Sequence, residues 1–188
     1  MRALSWKAGL AGAALILSLV TASAQSQQPY AGLQARPIKA LSEQQIGDLR
    51  AGRGMSLALA AELNGYPGPM HVLEHSNALG LSEAQRAKMQ ELIAAMKAEA
   101  VPIGEQLIAQ ETRLDRQFAD KTITPASLAA SLQEIGRTQA ALRTAHLKYH
   151  LLAADLLTPA QVRRYAELRG YAGGNQDQHQ HREHQRPK

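Results

Sequence analysis

The chain has 188 residues, with 21 Lys and Arg against 16 Asp and Glu, and no cysteine. The lack of cysteine excludes a disulfide framework and a thiolate metal site, so stability must come from helix packing. Two of the bases, Arg2 and Lys7, fall in an export signal, which leaves 19 against 16 acids in the mature chain; interspersed charges of this kind form a solvated face and, with export, argue against a nucleic-acid partner.

Residues Met1 to Ala24 read as a secretory signal peptide: Arg2 and Lys7, an apolar run of 13 residues from Ala8 to Val20, then Ala22-Ser23-Ala24 before Gln25. The run is shorter than the ~20 residues a membrane span needs, so cleavage after Ala24 and a periplasmic product without a retained transmembrane anchor are expected. No later stretch is long and apolar enough to replace the anchor. The remaining apolar content is mostly Ala and Leu, the best helix formers, and Phe118 is the one phenylalanine.

Three segments share a pattern: Leu41-Ser42-Glu43-Gln44-Gln45, Leu81-Ser82-Glu83-Ala84-Gln85 and Leu157-Thr158-Pro159-Ala160-Gln161. Each is a capping box, a Ser or Thr that caps the backbone N–H three residues on while the Gln reaches back, and so each marks a helix start. Leu41 with Ile46, and Leu157 with Val162, have the spacing of a hydrophobic staple. The predicted first helix runs from Ser42 to Leu63, weakened by Gly52 and Gly54 and closed by Asn64-Gly65. Tyr66-Pro67-Gly68-Pro69 is a turn that opens a short helix to Leu79, with Gly80 as its stop. A long helix begins at Ser82 and ends near Asp120, with Met89, Leu92, Ile93, Met96, Ile103, Leu107, Leu114 and Phe118 on one stripe and a kink expected at Pro102. Thr124-Pro125 opens a second long helix to Asp155, and Thr158 a last one to about Gly170. The expected fold is all-α: a long antiparallel helical hairpin with short flanking helices. Arms of about 50 Å would leave apolar stripe exposed in a monomer, so a homodimer is expected. The domain plan is a signal peptide at 1–24, an N-terminal extension at 25–68, the hairpin domain at 69–171 and a polar, histidine-rich, disordered tail at 172–188.

The seven histidines carry the chemistry. His71 with His75, and His146 with His150, are pairs at a spacing of four, which puts two imidazoles a turn apart on one helix face. His146 follows Leu128 by five helical turns and points the way of Leu128, Leu132, Ile135 and Leu142, with His150 about 40° away. His71 and His75 share a face with Ala78 and Leu79. Converging pairs would supply four nitrogen donors, a set that suits zinc, copper, nickel or cobalt rather than magnesium or calcium. Glu74 is placed as an outer-sphere partner; Glu91 projects away from Met89 and Ile93. Met70, Met89 and Met96 offer soft ligands, although methionine on a helical stripe is usually core. His179, His181 and His184 in the tail can bind metal loosely or simply solubilise the chain's end. No nucleophile motif, phosphate-binding loop or paired-acid pocket points to an enzyme.

The Leu-Ser/Thr-x-x-Gln boxes at Leu81, Ser82, Gln85 and at Leu157, Thr158, Gln161, flanking two long helices in an exported, cysteine-free chain, resemble the LTxxQ-motif periplasmic family of the Spy and CpxP type over residues 70–171. That resemblance implies a helical hairpin dimer, and a role among ATP-independent chaperones, stress-signalling inhibitors or the metal-responsive CnrX/ZraP-like branch. His71, His75 and His146 resemble ligand positions of that branch; His150 stands where its cobalt and nickel sensor has methionine, and Leu92 or Ile93 where it has an acid. Two functions are expected from these features. One is an envelope-stress or heavy-metal-response protein that senses or buffers a divalent transition metal through His71, His75, His146 and His150, with an envelope signalling partner. The other is a chaperone that shields unfolded clients with an apolar surface rimmed by Lys88, Lys97, Arg113 and Arg116.

Overall fold

The computed structural model describes residues 30–171; the expected signal peptide and the tail with His179, His181 and His184 lie outside them. The described residues form one 3-10 turn, Leu33–Ala35, and six helices with no strand among them: α1 Glu43–Arg50, α2 Leu59–Glu62, α3 Pro69–Glu74, α4 Glu83–Ala119, α5 Pro125–Asp155 and α6 Pro159–Leu168. None of these helices is long and apolar enough to cross a membrane.

The helix starts are set by local chemistry. Ser42, Ser82 and Thr158 each accept from the backbone N–H of the glutamine three residues on, and that glutamine accepts from the cap residue's own N–H. Thr124 and Ser127 close a fourth box at the start of α5, followed by Pro125, whose missing N–H costs nothing in a first turn. The boxes of α4 and α6 also bind one another. Gln85 Nε2 donates to Gln161 Oε1 and to the Leu156 carbonyl, both at 2.9 Å, and Gln161 Nε2 donates to Gln85 Oε1 at 3.1 Å and to the Leu79 carbonyl at 3.3 Å. Gln85 thus joins the start of α4 to the end of α5, and Gln161 joins the start of α6 to the turn that precedes α4. Gln85→Ala and Gln161→Ala are each expected to lower stability by about 1–3 kcal/mol, the penalty for stranding partly buried partners. The double variant should cost at least about 1 kcal/mol less than their sum; additive losses in urea titrations would show that the two boxes act separately.

Two helices end earlier than their sequence pattern predicts. The first breaks after Arg50, because Gly52 takes the left-handed conformation at φ +63° and Met55 and Ser56 follow it at +40° and +65°. Two short helices, α1 and α2, therefore replace the one expected over Ser42–Leu63. The helix expected to reach Leu79 stops at Glu74, with His75 as its cap and turns to Gly80. By contrast α4 continues through Pro102. Phe118 and Leu132, expected on packing faces, are 54% and 51% exposed.

Two apolar clusters hold the molecule. One joins Ile38 and Leu49 from the N-terminal segment to Ala100, Leu107 and Ile108 of α4 and Ile135, Leu142 and Ala145 of α5. The other joins Val72, Leu79, Leu81 and Met89 to Ala153, Leu157 and Tyr165. The long helices touch along their lengths, through Gln117 with Ser131, Arg113 with Glu134, Glu99 with Lys148 and Tyr149, and Gln85 with Leu156. On α4 Met96 lies between the two clusters, and on α5 His146 and His150 do, which sets a polar layer between two dry ones.

Candidate functional site

In that layer is a cavity of about 110 Å³. Its wall includes Met70 and His71 from α3, Met96 from α4, and His146 and His150 from α5, with Gly52, Gly54, Ala58 and Gly68 closing it. Three of the four paired histidines therefore face a common space. The fourth does not: His75 leaves the helix at its cap and packs edge-on against Tyr165, ring centroids 6.4 Å apart. The His75 N–H still donates to the His71 carbonyl, but α3 ends at Glu74 and the His75 ring packs on Tyr165 instead of lining the cavity with His71.

Hydrogen bonding fixes the tautomers of two of the three rings. His150 Nδ1 lies 2.7 Å from the Tyr66 carbonyl oxygen, which can only accept, so Nδ1 carries a proton and Nε2 is the nitrogen turned to other partners. His71 Nδ1 lies 2.9 Å from Glu74 Oε2, so its proton is held there in the same way and Nε2 is the nitrogen left for another partner. His146 is 3% exposed, and its Nε2 is buried with no hydrogen-bond partner among the described residues. Burial, and then the nearby His150, push the His146 pKa below the usual imidazole value. A buried polar atom without a partner is uncommon in a folded chain, and at a cavity wall it offers a place for a water or an ion.

Close backbone approach makes the cavity small. A Cβ on Gly68 would sit 2.8 Å from His150 Cε1 and 3.1 Å from its Nε2, so only glycine lets the start of α3 lie against that ring. Gly54 covers His146 from the other side, where a Cβ would be 3.7 Å from Nδ1. The N-terminal extension thus supplies two walls of the cavity.

The remaining expected ligands are elsewhere. Met89 is fully buried in the second cluster, Glu91 is exposed and paired with Lys88 at 2.6 Å, and Leu92 and Ile93 are partly buried apolar residues. Among the described residues no three His, Asp or Glu side chains are grouped closely enough to hold an ion as they stand. Even so, the residue types present suit a soft or borderline transition metal: three imidazoles on one cavity wall, one with a buried and unpartnered Nε2, beside the thioethers of Met70 and Met96.

The sequence reading did not anticipate Glu62. It is 7% exposed, and accepts from the Tyr165 and Tyr171 hydroxyls and the Gly68 N–H, with Arg169 Nε at 3.4 Å and His150 Nδ1 at 3.7 Å. Its partners are up to 109 residues away, and no local pattern marks it. No protein-family model, curated protein or solved structure matches the chain.

Proposed function

We propose that the chain is a periplasmic heavy-metal-response protein that senses or buffers a divalent transition metal through His71, His146 and His150. The observation that supports this reading is the cavity whose wall carries three imidazoles, two with Nδ1 tied to an oxygen and the third with a buried, unpartnered Nε2. A bound zinc, copper, nickel or cobalt ion would satisfy that nitrogen, and Met96 and Met70 would give the site its softer side. His75 then serves in packing against Tyr165 rather than as a ligand. The role needs no reaction at the ion. The export signal at 1–24 and the likeness of the two Leu-Ser/Thr-x-x-Gln boxes to the Spy and CpxP family support the periplasmic setting, and the contact pairs from Gln117–Ser131 to Gln85–Leu156 support an antiparallel hairpin of α4 and α5. Apolar side chains exposed on α4 and α5, with Phe118 at 54% and Leu151 at 51%, support a homodimer that covers them.

The test is a calorimetric titration of zinc, copper, nickel and cobalt into the full mature chain carrying His179→Asn, His181→Asn and His184→Asn. One ion per chain is expected, with affinity reduced at least about tenfold by His71→Ala. No binding by the tail-substituted chain would remove the site. The same exposed residues, with Leu132 and Leu152, also favour a second reading as a client-shielding chaperone. In that case suppression of client aggregation would be indifferent to chelator and to His71→Ala.

A further inference from the structure

The two oxygens of the buried Glu62 carboxylate face different parts of the molecule. Oε1 accepts from the Tyr165 hydroxyl of α6 and, at 3.2 Å, from the Tyr171 hydroxyl beyond it, with Arg169 Nε at 3.4 Å. Oε2 accepts from the Gly68 N–H at 3.2 Å and lies 3.7 Å from His150 Nδ1. One residue therefore touches the wall of the histidine cavity on one side and the last helix on the other. A buried carboxylate is costly to desolvate, so it holds its position only while these partners stay in place.

An ion on His150 Nε2 would draw electron density from the ring and strengthen the positive end of Nδ1–H, which already faces the Tyr66 carbonyl and Glu62 Oε2. The buried negative charge would then favour the loaded cavity over the empty one. By thermodynamic reciprocity, loading would favour the arrangement in which Glu62 is held by both sides. We propose that Glu62 is a positioning residue that couples occupancy of the cavity to α6 and Tyr171, so that ion binding tightens the C-terminal helix. The inference rests on the metal reading above. It gives the chain an output: the end that leads into the histidine tail is firmer when metal is bound.

Zinc is the probe, added to the full mature chain with the three tail histidines changed to asparagine. The readouts are zinc affinity by competition titration, amide hydrogen exchange over residues 159–171, and the same exchange over residues 125–135 as an internal reference for global stabilisation. In the otherwise unmodified chain zinc should slow exchange over 159–171 several-fold more than over 125–135. Glu62→Gln, nearly isosteric, should weaken zinc binding about tenfold or more and abolish the extra slowing. Tyr165→Phe, which removes a donor to Oε1 and leaves Oε2 alone, should reduce the extra slowing and, by the same reciprocity, weaken zinc binding by no more than the factor lost from that slowing. Zinc binding without extra protection of 159–171, or unchanged affinity and coupling in Glu62→Gln, overturns the proposal while leaving the metal site standing. Should Glu62→Gln fail to fold, undiminished coupling in Tyr165→Phe overturns it instead. Absence of zinc binding to the parent chain is a separate result, which removes the site and this coupling together.

Discussion

Gly104→Ala is expected to destabilise the protein while Gly136→Ala stabilises it, although both replace a glycine in the interior of a long helix. Gly104 is buried in α4 where α1 crosses it, and a Cβ there would lie 2.8 Å from the Leu49 carbonyl oxygen, 3.1 Å from its carbon and 3.2 Å from its Cβ. Two of these are backbone atoms, so relief requires α1 to move off α4 and open the cluster around Leu49, Ala100 and Leu107. Overpacking of this kind costs about 1–3 kcal/mol, against about 1 kcal/mol returned by the better helix propensity of alanine. Larger side chains leave no such balance: Gly104→Leu should undock α1 and cost several kcal/mol. At Gly136 in α5 a Cβ meets nothing within 4 Å, so alanine should add about 0.5–1 kcal/mol. Urea denaturation of the two alanine variants checks the pair, and equal shifts in the same direction would contradict the packing of α1 on α4.

Helix starts were legible in the sequence because capping is local: Ser42, Ser82 and Thr158 need only the glutamine three residues on, and all three boxes form. Helix ends were less so. The glycines at 52 and 54 signalled weakness, but whether a chain passes through such a point or turns there is decided by packing; here Leu49 and Ile38 are drawn onto α4 and the chain folds back. The same difficulty separated His71 from His75, since a spacing of four means a shared face only inside a continuous helix. On α5, which is continuous, the spacing argument worked, and His146 and His150 reach one cavity. Contacts across long stretches of chain were hidden altogether. Gln85 and Gln161 were readable as caps but not as each other's partners, and Glu62 resembled any acid near a helix end until Tyr165, Arg169 and Tyr171 came to surround it. In the sequence Gly54 reads as a weak point in a helix and Gly68 as part of a turn, whereas both lie directly against imidazoles.

His146→Leu is expected to make the protein more stable in the absence of metal and, if the proposed site holds, to weaken its binding of zinc. Leucine would fill a position that is 3% exposed without leaving a buried nitrogen unpartnered, which should contribute about 1 kcal/mol in the absence of metal. The substitution should also change the response to acid. Because burial holds the His146 pKa below its ordinary value of 6.5, the folded chain takes up a proton here less readily than the unfolded chain does. Stability from this source is therefore complete above pH 6.5 and is lost as the pH falls toward the lowered folded-state value. Urea midpoints of the parent chain should fall from neutral pH into the acid range, with the fall shallower in His146→Leu. The same depression keeps the Nε2 lone pair free at neutral pH, when an ion would have to displace a proton from an ordinary imidazole in part of the population. Loss of that donor should weaken zinc binding about a hundredfold, or about 2.7 kcal/mol. A stabilised chain that no longer binds zinc would mean that His146 is kept for the ion at the expense of the fold. A destabilised chain that still binds zinc as the parent does would make the buried imidazole a packing residue and move the site elsewhere.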